Sequence, residues 1–156
     1  MTAPTTDNPG VIAYPPLLFV ATLGVGLLLH WFMPWQPLPN IVARPVGGLL
    51  FIGGMWLAGW GRKSMERTGT NIDPREPALA IATTGPFGYT RNPLYVAITA
   101  VYLGVAMLVN AVWPLILAVP LMVVTHFGIV RREERYLEGK FGDTYRAYRA
   151  NVRRWL

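Results

Sequence analysis

Four stretches of this chain, roughly Tyr14 to Met33, Val42 to Trp60, Pro93 to Val109 and Val112 to Val130, are almost wholly apolar. Each approaches the ~20 residues that a helix needs to cross a bilayer. A backbone in hydrocarbon must satisfy its own hydrogen bonds, and none of the four runs alternates with period two, so helices are expected rather than barrel strands. With 53% of residues hydrophobic and only 14% charged, the chain is too greasy for an ordinary soluble domain. The expected fold class is therefore all-α: a polytopic membrane protein with four transmembrane helices, forming one membrane domain over residues 1–156. No Lys or Arg precedes the first run and no small-x-small cleavage site follows it, so it reads as a permanent span rather than a signal peptide.

The last two runs form a tight hairpin through Asn110. In the second run Gly47, Gly54 and Gly61 recur every seven residues with Ala58 beside them, a pattern that suits close helix packing. The spans carry two histidines, His30 and His126, and no acidic group. A proton-coupled exporter of four helices normally needs a buried carboxylate at mid-membrane, so that class is disfavoured. Without cysteine there is no thiolate nucleophile. The two histidines are far apart in sequence and near opposite membrane faces, so no metal site is expected.

Charge fixes an expected orientation. Arg44 apart, the basic residues sit in the connection 61–92 (Arg62, Lys63, Arg67, Arg75, Arg91) and in the tail from 131 (Arg131, Arg132, Arg135, Lys140, Arg146, Arg149, Arg153, Arg154). With four spans both segments fall on one side, which the positive-inside rule makes cytoplasmic, together with both termini. A net charge of +6 then faces anionic lipid headgroups, and no nucleic-acid motif accompanies it, so membrane lipids rather than RNA or DNA are the expected partners.

Polar chemistry is concentrated in those two segments. The connection is far longer than bundle helices need. It holds Leu79, Ile81, Phe87 and Tyr89 between the turns Asp73-Pro74, Glu76-Pro77 and Gly85-Pro86, which predicts an ordered cap on the membrane. Its end, "TGPFGYTRNPLYVAI", has two readings. As anchoring, Asn92 caps a helix, Pro93 takes its first position, Arg91 snorkels and Tyr95 joins the interfacial belt. As a site, the uncapped amides of that helix start, with Arg91, receive an anionic group. The tail "RREERYLEGKFGDTYRAYRANVRRWL" extends the fourth helix and places Glu133 and Glu134 about one turn beyond the membrane, His126 and Glu133 sharing a face. Phe141, Tyr145, Tyr148, Val152 and Trp155 then recur at helical spacing, which predicts an amphipathic interfacial helix.

The pair "GPFGYTRNPLY" and "RREERYLEGKFGDTYRAYRANVRRW", in this order around a helical hairpin, resembles the isoprenylcysteine carboxyl methyltransferase and phospholipid methyltransferase group of integral membrane enzymes. The resemblance covers roughly residues 70–156. It implies S-adenosylmethionine as cofactor, bound in a cytoplasmic region made of 61–92 and 131–156. It also implies cofactor contacts at Arg91, Asn92, Pro93, Tyr95, Glu133 and Glu134, with Gly85 and Pro86 shaping the approach; Arg131 is a further cofactor-binding candidate as an alternative basic donor. A carboxylate, an amine, a ribose, an adenine and a sulfonium need basic donors, acidic acceptors and an aromatic wall, and these residues supply those types. Arg91, Glu133 and His126 are the candidate catalytic residues, Glu133 or His126 serving as base if an amine or thiol acceptor must lose a proton. The eukaryotic isoprenylcysteine enzymes read Arg-His-Pro where this chain has Arg-Asn-Pro, and many relatives carry Arg at Gly88; both departures bear on the acceptor more than on the cofactor.

The expected activity is methyl transfer to a lipophilic or small membrane-accessible acceptor, such as an isoprenylcysteine-like carboxylate or a phospholipid amine, at the cytoplasmic face. The acceptor would enter sideways between helices and the cofactor from the cytosol, in a bacterial inner membrane to which so small a chain is suited. The alternative is a non-catalytic four-helix scaffold or a small transporter subunit.

Overall fold

The computed structural model describes residue 7 and residues 9–156. It is an all-α, mostly apolar bundle. Helix α1 spans Pro15–Phe32, α2 Asn40–Thr68, α3 Pro93–Val109 and α4 Val112–Val124. The π segment Thr125–Val130 carries α4 without a break into α5, Arg131–Phe141, and α6 follows at Asp143–Asn151. Pro15–Phe32, Asn40–Thr68 and the continuous Val112–Phe141 are each long and apolar enough to cross a membrane. Helix α3, at 17 residues, is apolar but shorter. Leu17, Val20, Leu28 and Trp31 on α1 and Leu49, Ile52 and Trp56 on α2 are exposed, an outward apolar surface of the kind that lipid covers.

Two helix pairs organise the bundle. Helices α2 and α3 make the most extensive contact, along the glycine stripe read from sequence. A Cβ at Gly47 would lie 2.6 Å from the Leu108 nitrogen, and one at Gly54 would lie 2.8 Å from the Ala97 carbonyl oxygen. From the other side, a Cβ at Gly104 would lie 2.6 Å from the Phe51 nitrogen. Small residues on both helices therefore bring backbone against backbone, where dispersion contacts are densest. The second pair is α1 with α4, where Gly26 admits Pro114. Phe19 and Tyr102 meet edge to face at 6.1 Å in the buried core with Leu121, and the Tyr102 hydroxyl donates to the Pro114 carbonyl at 2.8 Å.

Asn110 does more than turn the hairpin. It is buried in the left-handed region (φ 57°), and its side-chain amide donates to the Leu38 carbonyl at 2.6 Å and to Asn40 Oδ1 at 2.9 Å. It thereby fastens the α1–α2 connection to the α3–α4 turn, at the end of the bundle opposite the long connection.

The structure departs from the expected boundaries in two places. Helix α2 runs past Trp60 to Thr68, where Gly69 (φ 73°) ends it in the left-handed conformation that helix C-termini favour, so the irregular connection begins later than residue 61. The fourth helix continues beyond Val130 to Phe141, as the tail sequence leads one to expect. The expected interfacial helix is not a single surface helix: Gly142 (φ 53°) breaks it, α6 ends at Asn151, and Val152 and Trp155 lie beyond its end. Tyr145 is 1% exposed. The aromatic stripe thus turns inward onto the protein, because the tail finds backbone partners there.

Gly54→Leu is expected to destabilise the bundle by about 2 kcal/mol or more, since the new side chain meets backbone that cannot yield. Gly53→Leu, where nothing lies within 4 Å of the new Cβ, is expected to be near neutral. Thermal unfolding of both variants in one detergent checks the contrast.

Candidate active site

The turn Gly85–Gly88 delivers the Arg-Asn-Pro step to its place. Gly85 adopts φ 63°, and a side chain there would meet Trp60 Nε1 and Ser64 Oγ, each at 3.2 Å. Ser64 Oγ donates to the Thr84 carbonyl at 2.8 Å, and Pro86 and Pro93 are fully buried. The turn is therefore clamped to the polar end of α2, and the residues after it have little freedom.

Those residues are held from the other side by the C-terminus. The Arg91 amide donates to the Arg153 carbonyl at 2.8 Å, and Thr90 Oγ1 and Asn92 Nδ2 both donate to the Arg154 carbonyl at 3.0 Å. Thr90 and Arg153 form the one isolated β-bridge among the described residues. Asn92 occupies the cap position of α3 but makes no capping bond with its side chain, which is spent on the tail. The start of α3 is also poorer in free amides than the sequence suggests. Pro93 has none, and the amides of Tyr95 and Val96 both donate to the Asn92 carbonyl. An anion at this point would therefore meet the Arg91 guanidinium rather than free helix amides.

A cavity of about 440 Å³ opens beside this step, within the ~300–1,000 Å³ usual for small-molecule sites. Arg91, Asn92, Pro93, Leu94, Tyr95 and Ile98 form one wall; Glu133, Glu134, Leu137 and Tyr145 form another. The connection supplies a roof, including Ile72, Ala80 and Ala82. Thr70 shapes that roof, its hydroxyl accepting the amides of Leu79 and Ala80 at 3.1 and 3.3 Å. Tyr136 Oη accepts the Ala78 amide at 3.2 Å and donates to Asp7 at 2.6 Å, so the roof and Asp7 both lean on α5. Tyr14, also at the cavity, lies under the Arg75 guanidinium at 4.3 Å.

The two adjacent glutamates have different environments. Glu134 is buried, receiving Arg91 Nη2 at 2.9 Å and Arg154 Nη2 at 2.8 Å, with Arg154 Nε 3.0 Å from both its oxygens. Arg91 Nη1 donates to the Arg149 carbonyl at 3.1 Å, and Arg91 Nε is buried without a partner. Glu133 instead accepts the Tyr95 hydroxyl at 2.5 Å. It lies on the charged part of the helix, past the end of the apolar run. Burial pushes its carboxyl up to about 7; the Tyr95 hydrogen bond opposes this and the neighbouring Glu134 charge adds to it.

The structure thus brings Arg91, Asn92, Pro93, Tyr95, Glu133 and Glu134 around one cavity and leaves four expected residues outside its lining. Gly85 and Pro86 stand behind the wall and shape it through the turn. Arg131 is exposed, its guanidinium 5.5 Å from the Phe127 ring centre. His126 Nδ1 accepts the Trp155 indole at 3.4 Å and its ring packs on Phe127. Residues not singled out from sequence include Arg154, Tyr145 and Thr70. Arg154 was one of eight basic residues in the tail, Tyr145 read as part of a membrane-facing stripe, and a loop threonine carries no spacing signal.

Comparison with known proteins gives a family and little beyond it. The phospholipid methyltransferase family matches residues 42–144, well over half of the chain, including both the Arg-Asn-Pro step and the glutamate pair. An uncharacterized protein of Haemophilus influenzae is 58% identical over 36 residues, 23% of this chain. The chain spans 56% of that relative's length. No solved structure matches.

The Glu133 carboxyl makes stability depend on pH in a defined direction. Below about 4.5 it is protonated whether folded or unfolded; between there and about 7 the unfolded chain releases a proton that the folded one keeps. Raising the pH through this window therefore favours unfolding, and the loss is complete above 7. Glu133→Gln should melt at the same temperature as the unsubstituted protein near pH 4.5 and several degrees higher at pH 8. That gap corresponds to roughly 1–3 kcal/mol, reduced by the water the cavity admits. Melting curves of both proteins across pH 4.5–8 measure it.

Proposed function

The chain belongs to the phospholipid methyltransferase family, and from this we propose that it transfers a methyl group from S-adenosylmethionine to a lipophilic or small membrane-accessible acceptor at the cytoplasmic membrane face. The observation that carries the reading is a cavity lined on one side by Arg91, whose Nε is buried without a partner, and on the other by Glu133. A buried donor without a partner costs about 1–3 kcal/mol, a cost that a small rotation toward a ligand carboxylate removes. Donor and acceptor of this kind fit the two ends of an amino-acid group.

In this reading Arg91 holds the cofactor carboxylate, Glu133 its amine, and Glu134 keeps Arg91 in place. Asn92 and Pro93 fix the wall, while Phe87, Leu94, Tyr95 and Ile98 supply the apolar surface for adenine and ribose. S-adenosylmethionine, when bound, supplies a methyl group activated by its sulfonium. The protein then holds an acceptor in line and excludes water, effects that account for much of the rate in such displacements. Glu133 could accept a proton from an amine or thiol acceptor only when it is not paired with the cofactor amine, since that cation would lower its pKa. His126 lies outside the cavity lining and is the weaker candidate for that task.

We further infer that α3 is a fourth span, since 17 residues reach the lower limit for crossing. Both termini and the basic segments then face the cytoplasm of a bacterial inner membrane. The acceptor enters between helices from the bilayer, and the cofactor enters from the cytosol under the roof formed by the connection.

Calorimetric titration with S-adenosylhomocysteine tests the reading. The purified protein should bind saturably, and Arg91→Ala and Glu133→Gln should each weaken binding by about tenfold or more, as loss of a charge-assisted bond does. Labelled methyl transfer into a bacterial lipid extract should follow the same order. Absence of binding in detergent and again in lipid nanodiscs would favour a non-catalytic membrane scaffold.

A further inference from the structure

The region that matches the family ends at residue 144, yet the charge cluster at the cavity is completed ten residues later. Glu134 offers two oxygens to two guanidinium groups. Arg154 takes both, through Nη2 at 2.8 Å and Nε at 3.0 Å, whereas Arg91 gives Glu134 only Nη2. The remaining Arg91 nitrogens are Nη1, bound to the Arg149 carbonyl, and Nε, which has no partner. A guanidinium facing a lone carboxylate prefers the two-point fork. Arg91 would adopt it, turning Nε toward Glu134, if Glu134 were not already held from the other side.

The tail is built to deliver that hold. Its backbone is registered against Thr90, Arg91 and Asn92 by the Arg153 and Arg154 carbonyls, and Trp155 is anchored on His126. Arg153 contributes through its backbone, with its residue exposed.

We propose that Arg154 is a positioning residue: by occupying Glu134 it keeps Arg91 from closing onto that carboxylate and so leaves Arg91 available to a ligand carboxylate in the cavity. The inference rests on the cofactor reading above. It assigns to the C-terminal tail a role in ligand selection, distinct from that of a membrane-surface helix.

The test compares S-adenosylhomocysteine with 5′-methylthioadenosine, which shares its adenosine and thioether but lacks the amino-acid carboxylate. Calorimetry should show the unsubstituted protein preferring S-adenosylhomocysteine by about tenfold or more. Arg154→Ala should erase most of that preference while leaving methylthioadenosine affinity unchanged, and Arg153→Ala should alter neither. Arg154→Lys, which restores the charge but meets Glu134 at a single point, should recover part of the preference. If the alanine variant does not fold, the lysine variant carries the same comparison. A preference that survives in Arg154→Ala, or that survives undiminished in Arg154→Lys if that variant has to carry the comparison, overturns the proposal, as does equal weakening for both ligands, which would mark Arg154 as a structural pin for the tail. An unsubstituted protein that binds both ligands equally well also overturns it. One that binds neither removes the cofactor reading itself.

Discussion

The buried charge cluster of Arg91, Glu134 and Arg154 is the constraint on which the polar half of this molecule depends. It joins three segments distant in sequence: the end of the long connection, the helix that leaves the membrane and the C-terminal tail. Burying a carboxylate costs several kcal/mol unless its partners are well placed, and here two guanidiniums meet that requirement, the Arg149 carbonyl accepting a further N–H of Arg91. Loss of Glu134 would leave two guanidiniums facing each other in the wall of the cavity, whereas loss of either arginine leaves the other to pair with the carboxylate. The cluster is weak evidence for net stability, since apolar residues of equal volume would serve as well or better. Its specific effect is geometric, because it fixes where the three segments meet.

That meeting point would be useless without the rigid apolar half beneath it. The stripe of Gly47, Gly54 and Gly61 sets the depth and rotation of α3 against α2, and Gly61 lies beside Leu94 at the point where α3 begins. Trp60 and Ser64, on either side of Gly61 along α2, flank Gly85, and Ser64 binds the Thr84 carbonyl before it. A packing motif inside the membrane is therefore continuous with the turn that aims Arg91. At the opposite end Asn110 ties the two helix connections together, so the hairpin bearing Tyr95 and Glu133 is fixed at its far end as well.

Much of this was legible in the sequence because it follows from local rules. Hydropathy gave the helices, seven-residue glycine spacing gave the α2–α3 contact, and the excess length of the connection gave an ordered cap. The limits of local rules account for the rest. Helix α2 outlasts its apolar run because Arg62, Lys63 and Glu66 are good helix formers and nothing stops them before Gly69. The aromatic periodicity from Phe141 to Trp155 has the signature of a surface helix, but a single Gly142 in a positive-φ conformation breaks it. Tyr145 then packs inside and Tyr148 reaches the Phe87 carbonyl at 2.7 Å. Arg154 finds Glu134 across twenty residues, and the pairing becomes visible only when the tail is folded back.

The glutamate pair shows how one dipeptide can be divided between structure and chemistry. Neighbours on a helix point about 100° apart, so the two carboxylates face different surroundings. Glu134 turns toward the arginines, where its charge is compensated. Glu133 turns toward Tyr95 and the cavity, where no cation meets it and its carboxyl is pushed up to about 7. A group left near neutrality beside a cavity is costly to the folded state and useful only if a ligand later shares it. The compensation that Glu133 lacks is the compensation that a cationic amine would bring, and the carboxylate that Arg91 Nε lacks belongs to the other end of the same chemical group. On the proposed reading, stability withheld at both points is recoverable on binding, and the cluster around Glu134 keeps the protein from recovering it internally.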